Sequence, residues 1–414
     1  MVLSDNKRVG PVSICLVGVS NFARSHKNSI EAMVNEGLAS FDCVVIRSPD
    51  KYPEAMEEYS ERGIKIYLDY EEMLEAEKDR VELVALPLSI QTHASASIAA
   101  MEAGYHVLVE KPPAATVQDV DAMIAASEAT GRFCEVGFQN QSKSTVRDLK
   151  RHICDGKLGK IERISVMAEW VRDDGYYARN PWAGQMVIDG DYVLDGPTNN
   201  ALAHYMFNAL YWASQTWNHA DTPARVKGEL YHAHPIPGED SSSIRVETAG
   251  GTQIVYNVTL AGWNTRGPLM RVEGEKGIAN WSHTGSTEIE YSDGSTETIE
   301  SDGKSEHHEV FRNAIRFLRG EVDALNAPIA MTRPLTVAVN GAYESGAPPR
   351  GIPEEHVTRE PREEKIFTGI NGIGELLDRC HEETITYSEA GAPWAYEPDW
   401  FDTSRYSEFK MDLG

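Results

Sequence analysis

A glutamate and a lysine stand together directly after a short apolar segment, in the run Glu110-Lys111-Pro112-Pro113. A lysine ammonium is a compact cation that can hold a hydroxyl group and stabilise an alkoxide developing on it. Lys111 is therefore a candidate catalytic residue, for chemistry at a hydroxyl carbon.

The first 138 residues alternate short apolar segments with helical ones. Short apolar runs that do not alternate with polar residues, separated by helices, predict a parallel sheet covered on both faces. We predict strands near residues 12–17, 43–46, 65–67, 83–86, 106–109 and 133–138. The predicted fold class is α/β, a doubly wound Rossmann domain.

Such a domain binds ligands beyond the carboxyl ends of its strands. After the first strand, the run from Gly18 to Ala23 has glycine at only the first of three dinucleotide-fingerprint positions, so a generic turn is also consistent with it. After the second strand, Arg47 and Ser48 stand where a carboxylate usually holds a free ribose hydroxyl, which favours NADP over NAD. The predicted cofactor-binding residues are Gly18, Ser20, Asn21, Phe22, Arg47, Ser48, Pro87, His93, Glu110 and Lys111.

Beyond residue 140 the pattern changes to adjacent β-like runs, with helices predicted over 306–318 and 333–344 beside the sheet they form. This predicts an α+β domain with a large open, mostly antiparallel sheet. The open face needs a cover, so we predict a homodimer or homotetramer formed through it. The predicted domains are 1–138 for the nucleotide, 139–374 for substrate binding and oligomerisation, and 375–414 as an acidic, extended C-terminal arm.

An aromatic and polar segment precedes His204. Flat aromatic faces pack on sugar C–H surfaces and fork-shaped donors bind hydroxyls, although a packed loop would explain each residue singly. As a group they favour a polyhydroxylated small-molecule ligand. The predicted substrate-binding residues are Arg172, Tyr176, Arg179, Asn180, Trp182, Asn199, Asn200 and His204.

Composition argues against several classes of partner. The chain has 39 basic and 64 acidic residues, a formal net charge of −25, which disfavours nucleic acid and membrane surfaces. The first eleven residues predict no signal peptide, and five cysteines without CxxC spacing are typical of a reduced, cytoplasmic protein. We predict no metal site, because the pairs His232/His234 and His307/His308 lack a nearby third ligand.

The run from His93 through Ala103-Gly104 to Glu110-Lys111-Pro112 resembles the signature of the Gfo/Idh/MocA family, which includes glucose-fructose oxidoreductase and inositol dehydrogenases. Residues 156–161 and 342–345 match in the same order, so the resemblance covers residues 12–346. It implies an NAD(P)-dependent sugar or polyol oxidoreductase in which Lys111 is catalytic and orients the cofactor.

The family's second motif is only partly present. Asn200, Leu202 and Phe207 stand where the family has aspartate, glycine and aspartate, and His204 alone matches in type. The resemblance therefore implies that His204 is the second catalytic residue, and an imidazole with a pKa of about 6.5 can take up a hydroxyl proton at neutral pH. Because Asn200 cannot act as a base, two alternatives stay open. One is an enzyme that cleaves glycosidic bonds through transient oxidation with NAD, and the other is a non-catalytic nucleotide or sugar sensor.

Overall fold

The computed structural model describes residues 10–346 and 348–411, which divide into two compact units. The first unit consists of the chain up to Ala114 together with Asp119–Lys143 and Gly303–Thr332, and the rest forms the second. Residues 1–9, where we predict no signal peptide, lie outside the described residues. Among the described helices, none is long and apolar enough to cross a lipid bilayer.

The elements of the N-terminal third follow one another in strict alternation. They are β1 (Val12–Val17), α1 (Ala23–Asn35), β2 (Ala39–Val45), α2 (Pro53–Glu61), β3 (Lys65–Tyr67), α3 (Tyr70–Ala76), β4 (Leu83–Leu86), α4 (Ile90–Glu102), β5 (His106–Val109), α5 (Val117–Thr130) and β6 (Cys134–Val136).

The elements of the remaining chain are mostly strands. They are α6 (Ser144–Cys154), β7 (Ile161–Val171), α7 (Asp174–Ala178), β8 (Val187–Ile188), β9 (Asp191–Tyr192), α8 (Ala203–Ala213), β10 (Pro223–His232), β11 (Ser241–Thr248), β12 (Gln253–Thr259), β13 (Ala261–Gly274), β14 (Gly277–Ser282), β15 (Thr287–Tyr291), β16 (Thr296–Ile299), α9 (Glu306–Leu318), α10 (Ile329–Gly346), β17 (Arg350–Gly351), β18 (Val357–Arg362), β19 (Lys365–Ile370), α11 (Ile373–Glu383) and β20 (Phe401–Asp402).

The first unit is the predicted Rossmann domain. Its six strands are parallel in the order β3-β2-β1-β4-β5-β6, so the direction of strand succession reverses between β1 and β4. Every residue of β1, β4 and β5 is buried, which is why these strands show no alternation of apolar and polar residues.

Helix α9 has the predicted bounds but a different location. We expected it beside the second sheet, whereas Phe311 and Ile315 of α9 are buried in one hydrophobic cluster with Ile14 and Ile30 of the first unit. Arg312 of α9 also pairs with Glu36 just after α1. The apolar face of α9 is evident from the sequence, but the helix it packs against lies hundreds of residues earlier in the chain.

The second unit contains the predicted open, mostly antiparallel sheet. Its strands lie in the order β16-β15-β14-β13-β7-β12-β11-β10-β17, with β20 paired to β10. The pairs β7–β12 and β10–β17 are parallel and the others antiparallel. Helix α8 packs against β7, β12 and β13.

The C-terminal segment covers part of a sheet face. Its first residues form α11, which differs from the extended arm that we predicted from residue 375. Leu377 of α11 and Tyr387 are buried in one cluster with Met167 of β7 and Tyr231 of β10. The Trp394 ring lies 4.9 Å from the Tyr231 ring. The chain itself thus covers part of the sheet face that we predicted to be open and to mediate self-association. The oligomeric state stays a prediction.

Candidate functional site

The turn after β1 has the backbone shape that a nucleotide-binding turn needs. Gly18 has φ of +102°, where glycine is favoured, and its N–H donates to the carbonyl oxygen of Val45 over 2.9 Å. A Cβ at this position would lie 3.9 Å from the Cβ of Ala23, so the first turn of α1 packs closely on the strand end. Ser20 and Ala23, which replace two glycines of the fingerprint, are small enough for this approach.

The amino end of α1 lacks the groups that usually neutralise a helix terminus. Phe22 stands at the N-cap without a side-chain hydrogen bond, and no acidic residue lies in the first turn. Asn21, with φ of 52°, adopts the left-handed conformation in the tight turn before the helix. An amino terminus without a cap or a carboxylate suits an anion such as a pyrophosphate, so the residues present fit a dinucleotide.

Four sequence-predicted residues follow the carboxyl ends of neighbouring strands. Gly18 and Pro87 directly follow β1 and β4, and Arg47 and Lys111 are each the second residue after the end of β2 and β5. Because these strands are parallel and adjacent, their carboxyl ends lie along one edge of the sheet. Arg47 is exposed, as a group that contacts a ribose substituent must be before the nucleotide binds.

Glu110 lies in a buried hydrogen bond with His26 that the sequence did not reveal. Its Oε1 atom lies 2.8 Å from Nε2 of His26, and its Oε2 atom accepts the backbone N–H of Lys111 over 3.1 Å. Burial raises the pKa of the Glu110 carboxyl, but the His26 hydrogen bond and the nearby charges of His26 and Lys111 lower it below the usual value. A negative charge is therefore held immediately beside the Lys111 backbone.

His93 lies in the first turn of α4, which begins at Ile90. Its ring nitrogens lie 2.8 Å from the carbonyl oxygen of Pro112 and 3.0 Å from that of Leu88. Burial lowers the pKa of this imidazole. The ring thus joins the segments that follow β4 and β5, and a direct contact with the cofactor stays a prediction.

The predicted substrate residues of the second unit form a stack of aromatic rings and guanidinium groups. The Arg172 guanidinium lies 4.8 Å from the Tyr176 ring centre and 4.9 Å from that of Trp170. The Arg179 guanidinium lies 3.7 Å from the Tyr176 ring and 5.3 Å from the Trp182 ring. Asn180 closes the turn by accepting the N–H of Trp182. The segment therefore combines flat faces with donors, as the sequence predicts.

Asp195, an acidic residue of the second unit, is absent from the sequence-predicted site residues. Asp195 is 3% exposed, and its carboxylate accepts from the Asn200 side-chain amide over 2.6 Å and from the Gly184 N–H over 2.8 Å. The Arg179 guanidinium lies 3.5 Å from the same carboxylate. Two predicted substrate residues are therefore linked through one carboxylate.

His204 is the second residue of α8 and follows a π-helical turn, Pro197–Ala201. This turn contains Asn200 and Asn199, whose amide donates to the Val193 carbonyl over 3.2 Å. His204 is buried, with a relative exposure of 6%.

A fully buried carboxyl lies under the same turn. Glu239 accepts the Tyr343 hydroxyl and, at 3.4 Å, the Thr198 N–H. Burial raises its pKa to about 7, and the charge of Asp195 acts in the same direction, against the hydrogen bonds. A Cβ at position 196 would collide with the Glu239 carboxyl, so any other residue at this position would displace that carboxyl.

The histidine pairs have structural contacts. His234 lies 2.7 Å from Asp240, and His232 contacts the carbonyl oxygen of His234. The His307 ring packs on Phe22. Within residues 10–346 and 348–411, no group of three or more His, Cys, Asp or Glu residues is arranged to hold a metal ion.

Comparison with known proteins adds a family match and several relatives. A family model described as "Oxidoreductase family, NAD-binding Rossmann fold" matches residues 12–138. Inositol 2-dehydrogenase of Salmonella typhimurium is 30% identical over 154 residues, 37% of this chain and 43% of that protein. Levoglucosan dehydrogenase of Pseudarthrobacter phenanthrenivorans is 26% identical over 186 residues, 41% of this chain and 47% of that protein. The alignments thus span less than half the length of these curated relatives.

The fold extends further than the sequence similarity. The crystal structure of the WlbA dehydrogenase from Bordetella pertussis, in complex with NADH and UDP-GlcNAcA, has a TM-score of 0.67 to this chain at 20% identity. The match covers 81% of this chain and 96% of that one. At this identity, the similarity shows a shared fold for both units.

Proposed function

We propose that the chain is an NAD(P)-dependent sugar or polyol dehydrogenase of the Gfo/Idh/MocA type, whose family model matches residues 12–138. The observation that carries the proposal is the position of Lys111, whose cation follows β5 on the same sheet edge as the Gly18 turn. The relatives named above as dehydrogenases of inositol and levoglucosan support the substrate class.

The chain's own residues have distinct roles in this proposal. The bound nicotinamide supplies the hydride acceptor. Lys111 holds the substrate hydroxyl and stabilises negative charge that develops on its oxygen. His204 takes up the hydroxyl proton as general base. Glu110 keeps a carboxylate next to the Lys111 backbone and accepts its N–H, which helps to hold the lysine in place.

The nucleotide is proposed to bind at the Gly18 turn, with NADP preferred to NAD. Arg47 and Ser48 follow β2, and neither is a carboxylate that would pair with a free ribose hydroxyl. An exposed guanidinium pairs well with a ribose phosphate. Ser20, Asn21, Phe22, Pro87 and His93 complete the proposed cofactor set.

The substrate is proposed to contact the aromatic and guanidinium stack of the second unit. Trp182 and Tyr176 offer flat faces, whereas Arg172, Arg179 and Asn180 offer donors and acceptors for hydroxyl groups. Asn199 and Asn200 lie in the turn that leads to His204. Neither glycoside cleavage by transient oxidation nor a sensor role is favoured, since the named relatives are dehydrogenases.

The state of the cysteines indicates the cellular compartment that we propose. Four of the five thiols are buried and all five are free, which favours a reducing, cytoplasmic compartment. We also propose a homodimer or homotetramer through the part of the large sheet that the C-terminal segment leaves uncovered.

A panel of sugars and polyols, incubated separately with NAD and NADP, tests the proposed function. We expect reduced nicotinamide to accumulate with at least one polyol or sugar, and faster with NADP. Release of an aglycone without net nicotinamide reduction would instead support the glycoside-cleaving alternative. Nucleotide binding without turnover on any member of the panel would support the sensor.

A further inference from the structure

We propose that Asp195 is a positioning residue that orients the Asn200 amide and the Arg179 guanidinium toward one substrate hydroxyl. The proposal rests on the proposed function, because it deepens the role of two residues assigned to substrate binding. It introduces a third residue that the sequence motifs leave unassigned.

Asp195 is held in place by hydrogen bonds to nearby backbone groups. Its backbone N–H donates to the Gln185 carbonyl over 2.9 Å, and its Oδ2 atom accepts the Gly184 N–H. Gly184 is itself tied to Gly238, whose N–H donates to the Gly184 carbonyl over 2.9 Å. With 4% of its side chain exposed, Asp195 is an anchored group rather than a surface charge.

The contact with Asn200 determines which amide atom faces away from Asp195. An ionised carboxylate has only acceptors, so the Asn200 Nδ2 group must point to Oδ1 of Asp195, over 2.6 Å. The carbonyl oxygen of that planar amide then points to the other side. Asp195 thereby makes Asn200 present a hydrogen-bond acceptor.

The Arg179 guanidinium is a hydrogen-bond donor that contacts the same Asp195 carboxylate. Arg179 Nη2 lies 3.5 Å from Asp195 Oδ2, and its Nη1 donates to the Tyr176 carbonyl over 2.5 Å. Packing on the Tyr176 and Trp182 rings limits the remaining freedom of the guanidinium. A long side chain that would otherwise sample many rotamers is therefore ordered before the substrate binds.

An oriented acceptor and an oriented cationic donor together match a hydroxyl group, which both donates and accepts. A carboxylate or phosphate on the substrate would meet an acceptor at Asn200 and bind poorly there. The chemistry thus favours an uncharged polyol or sugar at this position.

Exchange of the acid and the amide tests the proposal. Asp195→Asn lets the new amide donate to Asn200, whose own amide must flip and present a donor instead. We expect KM for the active sugar or polyol to rise about tenfold or more, with nucleotide affinity unchanged. Asn200→Asp places two carboxylates together and should raise KM at least as much.

The double variant Asp195→Asn/Asn200→Asp should recover a KM close to that of the wild type. The amide introduced at position 195 would donate to the new carboxylate, whose second oxygen again presents an acceptor. The oxygen of that amide would still accept from Gly184 and Arg179. We expect KM within about threefold of the wild type. Asp191→Asn, an exposed carboxylate on β9, is the matched control and should leave KM unchanged.

Two failures are distinguishable. If the wild-type protein oxidises no sugar or polyol, the proposed function itself is contradicted. If the wild type is active but Asp195→Asn keeps the wild-type KM, the proposal for Asp195 is overturned and the proposed function stands. The proposal would also be overturned if Asp195→Asn lowered the free energy of unfolding but left KM unchanged. A KM of the double variant as high as that of the single variants would have the same consequence.

Discussion

The Nε2 atom of His26, on the first helix, lies 2.8 Å from Oε1 of Glu110, which ends the segment leading to Lys111. Both side chains are buried, with exposed fractions of 4% and 9%. The pair joins the helix that begins at the nucleotide turn to the proposed catalytic lysine. The contribution of this pair to the free energy of unfolding can be measured separately from catalysis.

Replacing His26 with phenylalanine should destabilise the protein. The Glu110 carboxylate would lose its buried partner, which costs about 3 kcal/mol of unfolding free energy at neutral pH. Because the folded-state pKa of Glu110 lies below its usual value of 4.5, this contribution is present above that pH and is lost as the pH falls through the folded-state value. Urea unfolding at neutral and acidic pH measures it.

The matched control is His26→Gln, which retains a donor toward Glu110 and should cost only about 1 kcal/mol. Equal stability of the phenylalanine variant and the wild type at neutral pH would show that the pair does not stabilise the domain.

Arg47→Ala should weaken NADP binding about tenfold to a hundredfold, since the guanidinium would no longer pair with the ribose phosphate. NAD binding should change little, because NAD lacks that phosphate. Titration calorimetry with both nucleotides measures the two affinities. Lys51→Ala, an exposed cation on the short helix that follows, is the control. Tighter binding of NAD than NADP by the wild type would contradict the assignment of Arg47.

Glu239→Gln should change how stability depends on pH. Burial raises the folded-state pKa of Glu239 to about 7. A carboxyl with a raised folded-state pKa contributes stability that is complete below the unfolded pKa and is lost as the pH rises through the folded one. Between about pH 5.5 and 8.5 the wild type should therefore lose roughly 2 kcal/mol relative to the glutamine variant, which cannot ionise.

Parallel urea unfolding of both proteins at the two pH values tests this. Tyr343→Phe provides a second measurement, because it removes the hydroxyl that donates to Glu239 and should raise the carboxyl pKa further. A constant difference between the wild type and Glu239→Gln at both pH values would argue that Glu239 keeps one protonation state throughout.

Local signals were sufficient for most elements. Buried strands such as β4 and β5, and the helix at Glu306–Leu318, are visible in short windows of sequence because burial imposes a regular spacing on them. The location of that helix was not predictable, since its apolar face fits either unit. The C-terminal α11 was missed because its many charged residues conceal a narrow buried face formed by Ile373, Leu377 and Cys380.

Some residues of the candidate site were predictable from the sequence and others were not. Lys111 was predicted from its residue type and its position after a strand, and His204 from the partial family motif. The partners that hold the site were not predictable, because His26 and Glu110 are 84 residues apart, and Glu239 and Tyr343 are 104 apart. Asp195 is only five residues from Asn200, and a carboxylate close to two asparagines is the one signal that could have indicated it.

Turnover of the Lys111→Ala and His204→Ala variants tests the central claim most directly. Nicotinamide reduction is followed with the sugar or polyol that the wild type oxidises, and nucleotide affinity is measured on the same samples. We expect turnover to fall by about a hundredfold to ten-thousandfold in each variant while the nucleotide still binds. Near-normal turnover in either variant would contradict the roles of Lys111 and His204.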